Sequence, residues 1–396
     1  MSLNYQVMQD KKLKVCFVSL SQFPATGGGV QTLTFELVKA LSKKITIQVV
    51  CTTINSQIDI PNNVEVYPIL KVPKIGVGGY IIPAPLNLIL FLNFLKRERP
   101  HVVHAHLIFP NGFFSLPAKL LGIPIICTSH GIDIQINQDV SYGLRQNKFL
   151  AKIIGIVLNF SSIHTVVSKC MIKDAIEAGS HPSKIKVIYN GIDLRKISSF
   201  GEGNISRQYK IAKDNFVILF FGRLHPKKCP DDLIKAFSKV VQNIPNSQLI
   251  FAGTGEEEIK LRNLTSDLNL NEKIIFTGFV SEDRKWDLFR RCDVFVLPSA
   301  VEAFGITVIE AMACEKTVIA TNLEPFPEII KEGETGFLVP LHSPEDLADA
   351  ITELALDEGK RKEMGKMARK DVEERFDINK IADDYLRIYE ELLSSR

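Results

Sequence analysis

The sequence predicts an α/β protein made of two doubly wound parallel sheets facing each other across a cleft, one sheet in each half of the chain. Three observations point there. At 396 residues the chain exceeds what one hydrophobic core usually supports. Short β-branched runs alternate with longer stretches of helical period along most of its length. Those runs are apolar throughout rather than alternating, as befits strands covered on both faces.

In chain order, the expected strands of the first half are KVCFVSL, ITIQVV, HVVHA, PIICTS and IHTVV. Those of the second half are FVILFFG, QLIFAG, KIIFTG, DVFVLP and TVIAT. Between them lie helical patterns such as QTLTFELVKALSKK and PDDLIKAFSKVVQN. The polar, Gly- and Ser-containing stretch after NGID, roughly 195–213, is the expected boundary. It separates a domain of residues 1–195 from one of residues 196–376, and a distinct helical pattern, 377–396, follows a break at Phe376-Asp377.

The net charge is only +3, yet the halves differ. Residues 1–195 hold 20 Lys/Arg against 10 Asp/Glu, and residues 196–396 hold 28 against 35. A basic first half suits an anionic membrane surface or a phosphorylated substrate; a nucleic-acid partner is not expected. The seven cysteines show no CxxC spacing and lie mostly in apolar runs, the usage of a reducing compartment. MSLNYQVMQDKKLKV has no apolar signal core, and YIIPAPLNLILFLNFL (80–95) is short for a span and contains Pro83 and Pro85. A cytoplasmic location is expected.

Ligands of open parallel sheets bind beyond the carboxyl ends of the strands, so the loops there carry the chemistry. After the first strand, PATGGGVQ (24–31) offers glycines and a helix N-terminus, either an anion site or a tight packing turn. It lacks the GxGxxG spacing, and VVCTT supplies no ribose-binding acid, which argues against a dinucleotide cofactor. HAHLIFPNG (104–112) places His104 and His106 on one strand face, where packing or loop-orienting roles suffice. No metal-ligand spacing surrounds them. In TSHGID (128–133), His130 precedes a glycine at a strand end and is a candidate functional group. FVILFFGRLHPKK sets Arg223 and Lys228 around a turn after a strand, a fork and a point charge suited to a diphosphate. After VFVLP come Glu302, the Phe304–Gly305–Ile306 helix start and, about one turn in, Glu310. Carboxylates hydrogen-bond sugar hydroxyls well, and a helix start binds phosphate.

With these motifs in their order, GGGVQ, HAH…PNG, SHGID, VIYNGID, GRLHPKK, Glu302-x7-Glu310 and PEIIKEGETGFLVP, the chain resembles the family-4 (group 1) retaining glycosyltransferases of the GT-B fold. The resemblance implies two Rossmann-like domains, the first binding mainly acceptor, the second a nucleotide-sugar, with 377–396 returning to the first. It implies that Arg223 and Lys228 bind the donor diphosphate, Glu302 the sugar and Glu310 the ribose. Backbone groups at Phe304, Gly305 and Ile306 would support sugar and phosphate, His130 would lie beside the sugar, and Gly28 and Gly29 near phosphate and acceptor. No metal or cofactor is implied. Cys229, Glu315 and Thr317 depart from the family's common glycines and proline, and NLEPFPEII lacks a glycine often found there.

A glycosidase could use two carboxylates, but it needs no Arg/Lys pair beside a helix start. A non-hydrolysing nucleotide-sugar epimerase and a non-catalytic nucleotide-sugar binder share the fold and remain alternatives. LNLILFLNFLKRER (86–99) and KFLAKIIGIVLNF (148–160) are apolar with basic flanks, so they are either covering helices or segments that lie on an anionic bilayer.

Overall fold

The computed structural model describes residues 13–24, 28–71, 84–199 and 205–394. Residues 1–12, loop residues 25–27, residues 80–83 of the apolar segment and 200–204 of the expected linker lie outside them. The chain divides into two compact units, Met1–Gly191 with Ile378–Arg396, and Ile192–Asp377.

In the first unit, strands β1 (Lys14–Val18), β3 (Thr46–Val50), β5 (Val64–Tyr67), β6 (Val102–His106), β7 (Ile125–Ser129), β8 (Ile163–Val166) and β9 (Ile185–Val187) form one sheet. Its order is β5-β3-β1-β6-β7-β8-β9, and every pairing is parallel. The two-residue strands β2 (Gln22–Phe23) and β4 (Thr53–Ile54) pair separately. The second unit holds β10 (Phe216–Phe221), β11 (Ser247–Ala252), β12 (Ile274–Gly278), β13 (Val294–Leu297), β14 (Thr317–Thr321) and β15 (Gly336–Val339) in the order β12-β11-β10-β13-β14-β15. In each sheet the winding reverses beside its first strand, between β1 and β6 and between β10 and β13. Those reversals are where strand-end loops part and leave room for a ligand.

The expected strands are all strands: nine lie inside the two sheets, and β12, at an edge and mostly half-buried, still shows the apolar run IIF. The structure adds β5, β9 and β15, which are edge strands. In β5 (VEVY) and β9 (IKV) a charged residue breaks a short run, and β15 (GFLV) has only three apolar side chains after a glycine.

Right-handed crossovers place helices α2 (Ala84–Glu98), α3 (Pro117–Leu120) and α4 (Lys148–Phe160) on one face of the first sheet. The opposite face carries α1 (Gly29–Leu41) and the last helix, which share a core with the strands. Leu37, Val38 and Leu41 of α1 meet Ile381, Tyr385 and Tyr389 of that helix over Val15, Phe17 and Ile47. A buried polar network lies beneath. His104 bonds Tyr389 at 2.8 Å and Thr128 at 2.7 Å, and Thr128 bonds Thr165 at 2.6 Å. Each group would cost about 1–3 kcal/mol if left unpaired there, so the network fixes the helix in one register. His104 is thus a packed core residue.

The second unit carries α5 (Pro230–Asn243), α6 (Glu282–Arg291), α7 (Ile306–Ala313), α8 (Pro344–Leu356) and α9 (Glu358–Arg375), and the chain ends in α10 (Ile378–Ser394), the last helix of the first unit. Among the described residues no helix is long and apolar enough to cross a membrane.

The division falls at Gly191, inside NGID and ahead of the 195–213 stretch. The reason is local: the Ile192 N–H bonds the Phe376 carbonyl at 2.9 Å, so the chain enters and leaves the second unit at one point. A Cβ on Gly191 would stand 2.8 Å from the Ile381 side chain and 2.9 Å from Ile378 Cα. Gly191→Ala should therefore overpack the last helix and cost about 1–3 kcal/mol, read as a lower urea midpoint for the first unit. An unchanged midpoint would mean that the helix yields without cost.

Candidate active site

In the second unit, three strand-end loops are knitted together at the winding reversal. The Leu224 N–H bonds Thr254 O at 3.0 Å, the Glu257 N–H bonds Leu224 O at 3.2 Å, and the Ala300 N–H bonds Lys227 O at 2.8 Å. Gly255 is required there, since a Cβ would lie 2.0 Å from Leu224 O.

This stitching brings Lys228, at the end of the β10 loop, against Glu302, in the β13 loop. The two side chains form an ion pair, with 14% and 11% of their surface exposed. Ser299 Oγ donates to the same Glu302 oxygen at 3.3 Å. Burial, then the neighbouring Lys227, pushes the Lys228 ammonium down to about 7, and Lys227 itself falls to about 8 for want of water and beside Arg223. Glu302 works in the opposite direction on Lys228. Cations held this close without full hydration form an anion site. Arg223 stands at the same loop but is exposed and gripped by Glu256 at 3.0 and 3.2 Å, so an incoming anion must displace that carboxylate.

Helix α7 starts where expected, at Ile306. Its N-cap, Gly305, is left-handed (φ 95°) and offers no capping side chain. Among the described residues the Ile306 and Thr307 N–H groups meet no protein acceptor, which leaves the positive helix end open. The Phe304 ring is buried edge-on against Phe376, so this residue can present only backbone to a ligand.

Glu310 is not an open carboxylate. It is buried, and its Oε1 accepts from Lys285 at 2.6 Å; Lys285 also reaches Glu282 at 2.8 Å. Burial raises Glu310, opposed by Lys285. Burial would lower Lys285, but Glu310 and Glu282 outweigh it and hold it above the ordinary lysine value. Among the described residues Glu310 Oε2 takes no hydrogen bond, so it is the freer of the two oxygens. Lys285 was invisible in the sequence as a site residue: it sits in an ordinary charged helix, and its partner lies 25 positions on.

The first unit holds the remaining candidates. Gly28 (φ 98°) is an exposed N-cap without a side-chain cap, and Gly29 opens α1. A Cβ on Gly28 would meet Gln31 Oε1 at 2.5 Å. His130 Nε2 lies 2.9 Å from His106 Nδ1, with the rings stacked, and the His130 N–H donates to Asp133 at 3.2 Å. His106 is therefore not a bystander: it orients His130, the loop-orienting alternative of its sequence reading. Burial lowers His130 to about 4 and His106 well below its ordinary value, so both are neutral near pH 7.

Two departures from the family pattern have a physical cost. Cys229 (φ 46°) and Glu315 (φ 59°) both occupy left-handed backbone, where glycine is free of strain. Cys229, Asp232 and His342 also bring potential metal-ligand atoms within 4.8 Å of one another. His342 Nδ1 and Asp232 already satisfy each other at 2.7 Å.

The family model described as Glycosyl transferases group 1 matches residues 202–371, and that of Glycosyltransferase Family 4 matches residues 27–196. An uncharacterised glycosyltransferase of Methanocaldococcus jannaschii is 32% identical over 76% of this chain and 78% of its own. The N-acetyl-alpha-D-glucosaminyl L-malate synthase of Bacillus anthracis is 28% identical over 83% of this chain and 86% of its own. HepE of Anabaena, crystallised with UDP and glucose, superposes with a TM-score of 0.75 at 24% identity, covering 97% of this chain and all of its own (100%). The fold is that of the GT-B glycosyltransferases.

Two titrations follow from these environments. With Lys228 held at about 7, a bound phosphate favours its ammonium form, so binding above that pH draws in a proton. Affinity for inorganic pyrophosphate as a probe anion should fall from about pH 7 to about pH 9, and Lys228→Met should flatten the slope, as calorimetry in buffers of different ionisation enthalpy would show. Separately, His104, His130 and His164 fall to about 3, 4 and 3 from an ordinary 6.5. The unfolded chain therefore binds more protons below 6.5, and stability should be lost as pH falls from there towards 4. A thermal midpoint unchanged between about pH 7 and about pH 5 would contradict this.

Proposed function

The chain belongs to the group 1 glycosyltransferases, and from that premise we propose that it moves a hexosyl group from a UDP- or GDP-sugar to an acceptor hydroxyl with retention of configuration. The observation that carries this reading is the Lys228–Glu302 pair beside the uncapped start of α7. Each partner neutralises the other while the site is empty. A nucleoside diphosphate would take Lys228 and the Ile306 and Thr307 N–H groups, leaving Glu302 to accept from sugar hydroxyls. Arg223 would add its fork once Glu256 lets go, and Glu310 Oε2 would accept from the ribose.

Transfer then needs the anomeric carbon–oxygen bond to break towards the diphosphate while the acceptor oxygen bonds that carbon from the same face. The acceptor proton passes to the departing phosphate oxygen. Cations and a helix end aimed at that phosphate are the main catalytic aid, and no metal is required for it. In the first unit His130 is neutral near pH 7 and held by His106, which makes it a hydrogen-bonding group rather than a charge.

UDP in the Anabaena structure makes UDP-sugars the first donors to try. For the acceptor, the Bacillus relative is named for malate, an anion, and residues 1–195 of this chain carry the cationic surplus. We place the reaction in glycan, glycolipid or cell-surface polysaccharide assembly, in the cytoplasm, with a negatively charged acceptor met at the membrane.

Incubation with UDP-sugars should release UDP only when an acceptor is present. Lys228→Ala should lower kcat by about 10²–10³ with a smaller change in KM. Glu310→Gln should weaken UDP binding about tenfold, because a neutral amide accepts less strongly from the ribose. Full activity in both variants would remove these residues from the site.

A further inference from the structure

We infer that the face of the first unit carrying α2, α3 and α4 docks on an anionic lipid bilayer; this specifies the membrane contact proposed above. The helices lie side by side on one face of the sheet, so their outward sides form one surface. A covering helix normally turns apolar residues to the sheet and polar ones to water. Helix α4 does not. Leu150, Ile154, Val157 and Leu158 face inward, yet Phe149, Ile156 and Phe160 stand exposed on the opposite stripe, with Lys152 between them. Phe149 is 58% exposed.

The neighbouring helices repeat the pattern. On α2, Leu86 and Ile89 are exposed at its start, and Lys96 and Arg97 at its end on the same stripe. On α3, Leu120 is 78% exposed beside Lys119. Residues 84–99, 113–121 and 148–160 together hold six Lys/Arg and one acid, Glu98, which pairs with Arg97. Among the described residues Lys119, Lys148 and Lys152 have no carboxylate partner.

Apolar side chains framed by unpaired cations match the two layers of an anionic membrane surface. The rings and aliphatic chains enter the acyl boundary while the lysines remain at the phosphate level. A second copy of this face is a poorer occupant, since it would oppose like charges.

The test is flotation of the full chain with vesicles of phosphatidylcholine alone or with about one-third phosphatidylglycerol. Wild type should float only with the anionic vesicles, and less so in high salt, where surface charges are screened. Lys119→Glu/Lys148→Glu/Lys152→Glu should reduce partitioning by about a hundredfold, at a factor of roughly five per lysine. Phe149→Ser/Ile156→Ser/Phe160→Ser should reduce it comparably, with the UDP-induced thermal shift intact in both variants. Equal flotation of wild type and variants, no flotation at all, or a dimer in sedimentation that the serine variant abolishes would each overturn the inference. Acceptor-dependent UDP release alongside absent flotation would sink the docking face and leave the transferase reading standing.

Discussion

An ammonium and a carboxylate, Lys228 and Glu302, oppose each other where the winding of the second sheet reverses. Neither would be stable alone with so little water around it. The pairing depends on the backbone bond from Ala300 to Lys227, which depends in turn on β10 and β13 lying side by side. Sheet order is thus the constraint from which the site follows. It brings residues 74 positions apart into contact and aims the start of α7 at the same place. The paired state holds both groups in position, so an anion reaching this loop exchanges carboxylate partners instead of ordering free side chains.

The sequence made the central strands legible because each is a continuous apolar run, and it made the loops legible because each follows such a run. Arg223, Lys228, Glu302 and the helix start at Ile306 could be located by that rule alone. Two edge strands, VEVY and IKV, could not, since a charged residue interrupts each short run, whereas the edge strand β12 keeps its apolar IIF and was legible. Partners were harder still. Nothing local says that Glu256 holds Arg223, that Lys285 occupies Glu310 or that His106 touches His130. Each contact joins elements distant in sequence, and single-sequence periodicity carries no information about which helix meets which loop. The division falls about four residues ahead of the expected boundary, because composition marks polar stretches whereas the chain crosses at the bond between Ile192 and Phe376.

The histidines show how one motif can divide its labour. His104 and His106 share a strand face with ring centroids 4.6 Å apart. His104 turns towards tyrosines of the last helix and serves the core; His106 turns towards His130 and serves the loop. Burial keeps both neutral, so neither role alters near pH 7.

Tyr385 and Tyr389 come from the final segment of the chain but complete the core of the unit that is made first. Synthesis at about 5–20 residues per second separates Gly191 from Ile378 by roughly 10–40 s. Throughout that interval the first sheet leaves the ribosome with one face covered by α1 alone and with His104 and Thr128 short of their tyrosine partners. The second unit, contiguous from Ile192 to Asp377, has no such wait. The half begun first is therefore finished last, and a nascent chain stalled before its final helix would expose the surface of α1 and the sheet that chaperones recognise.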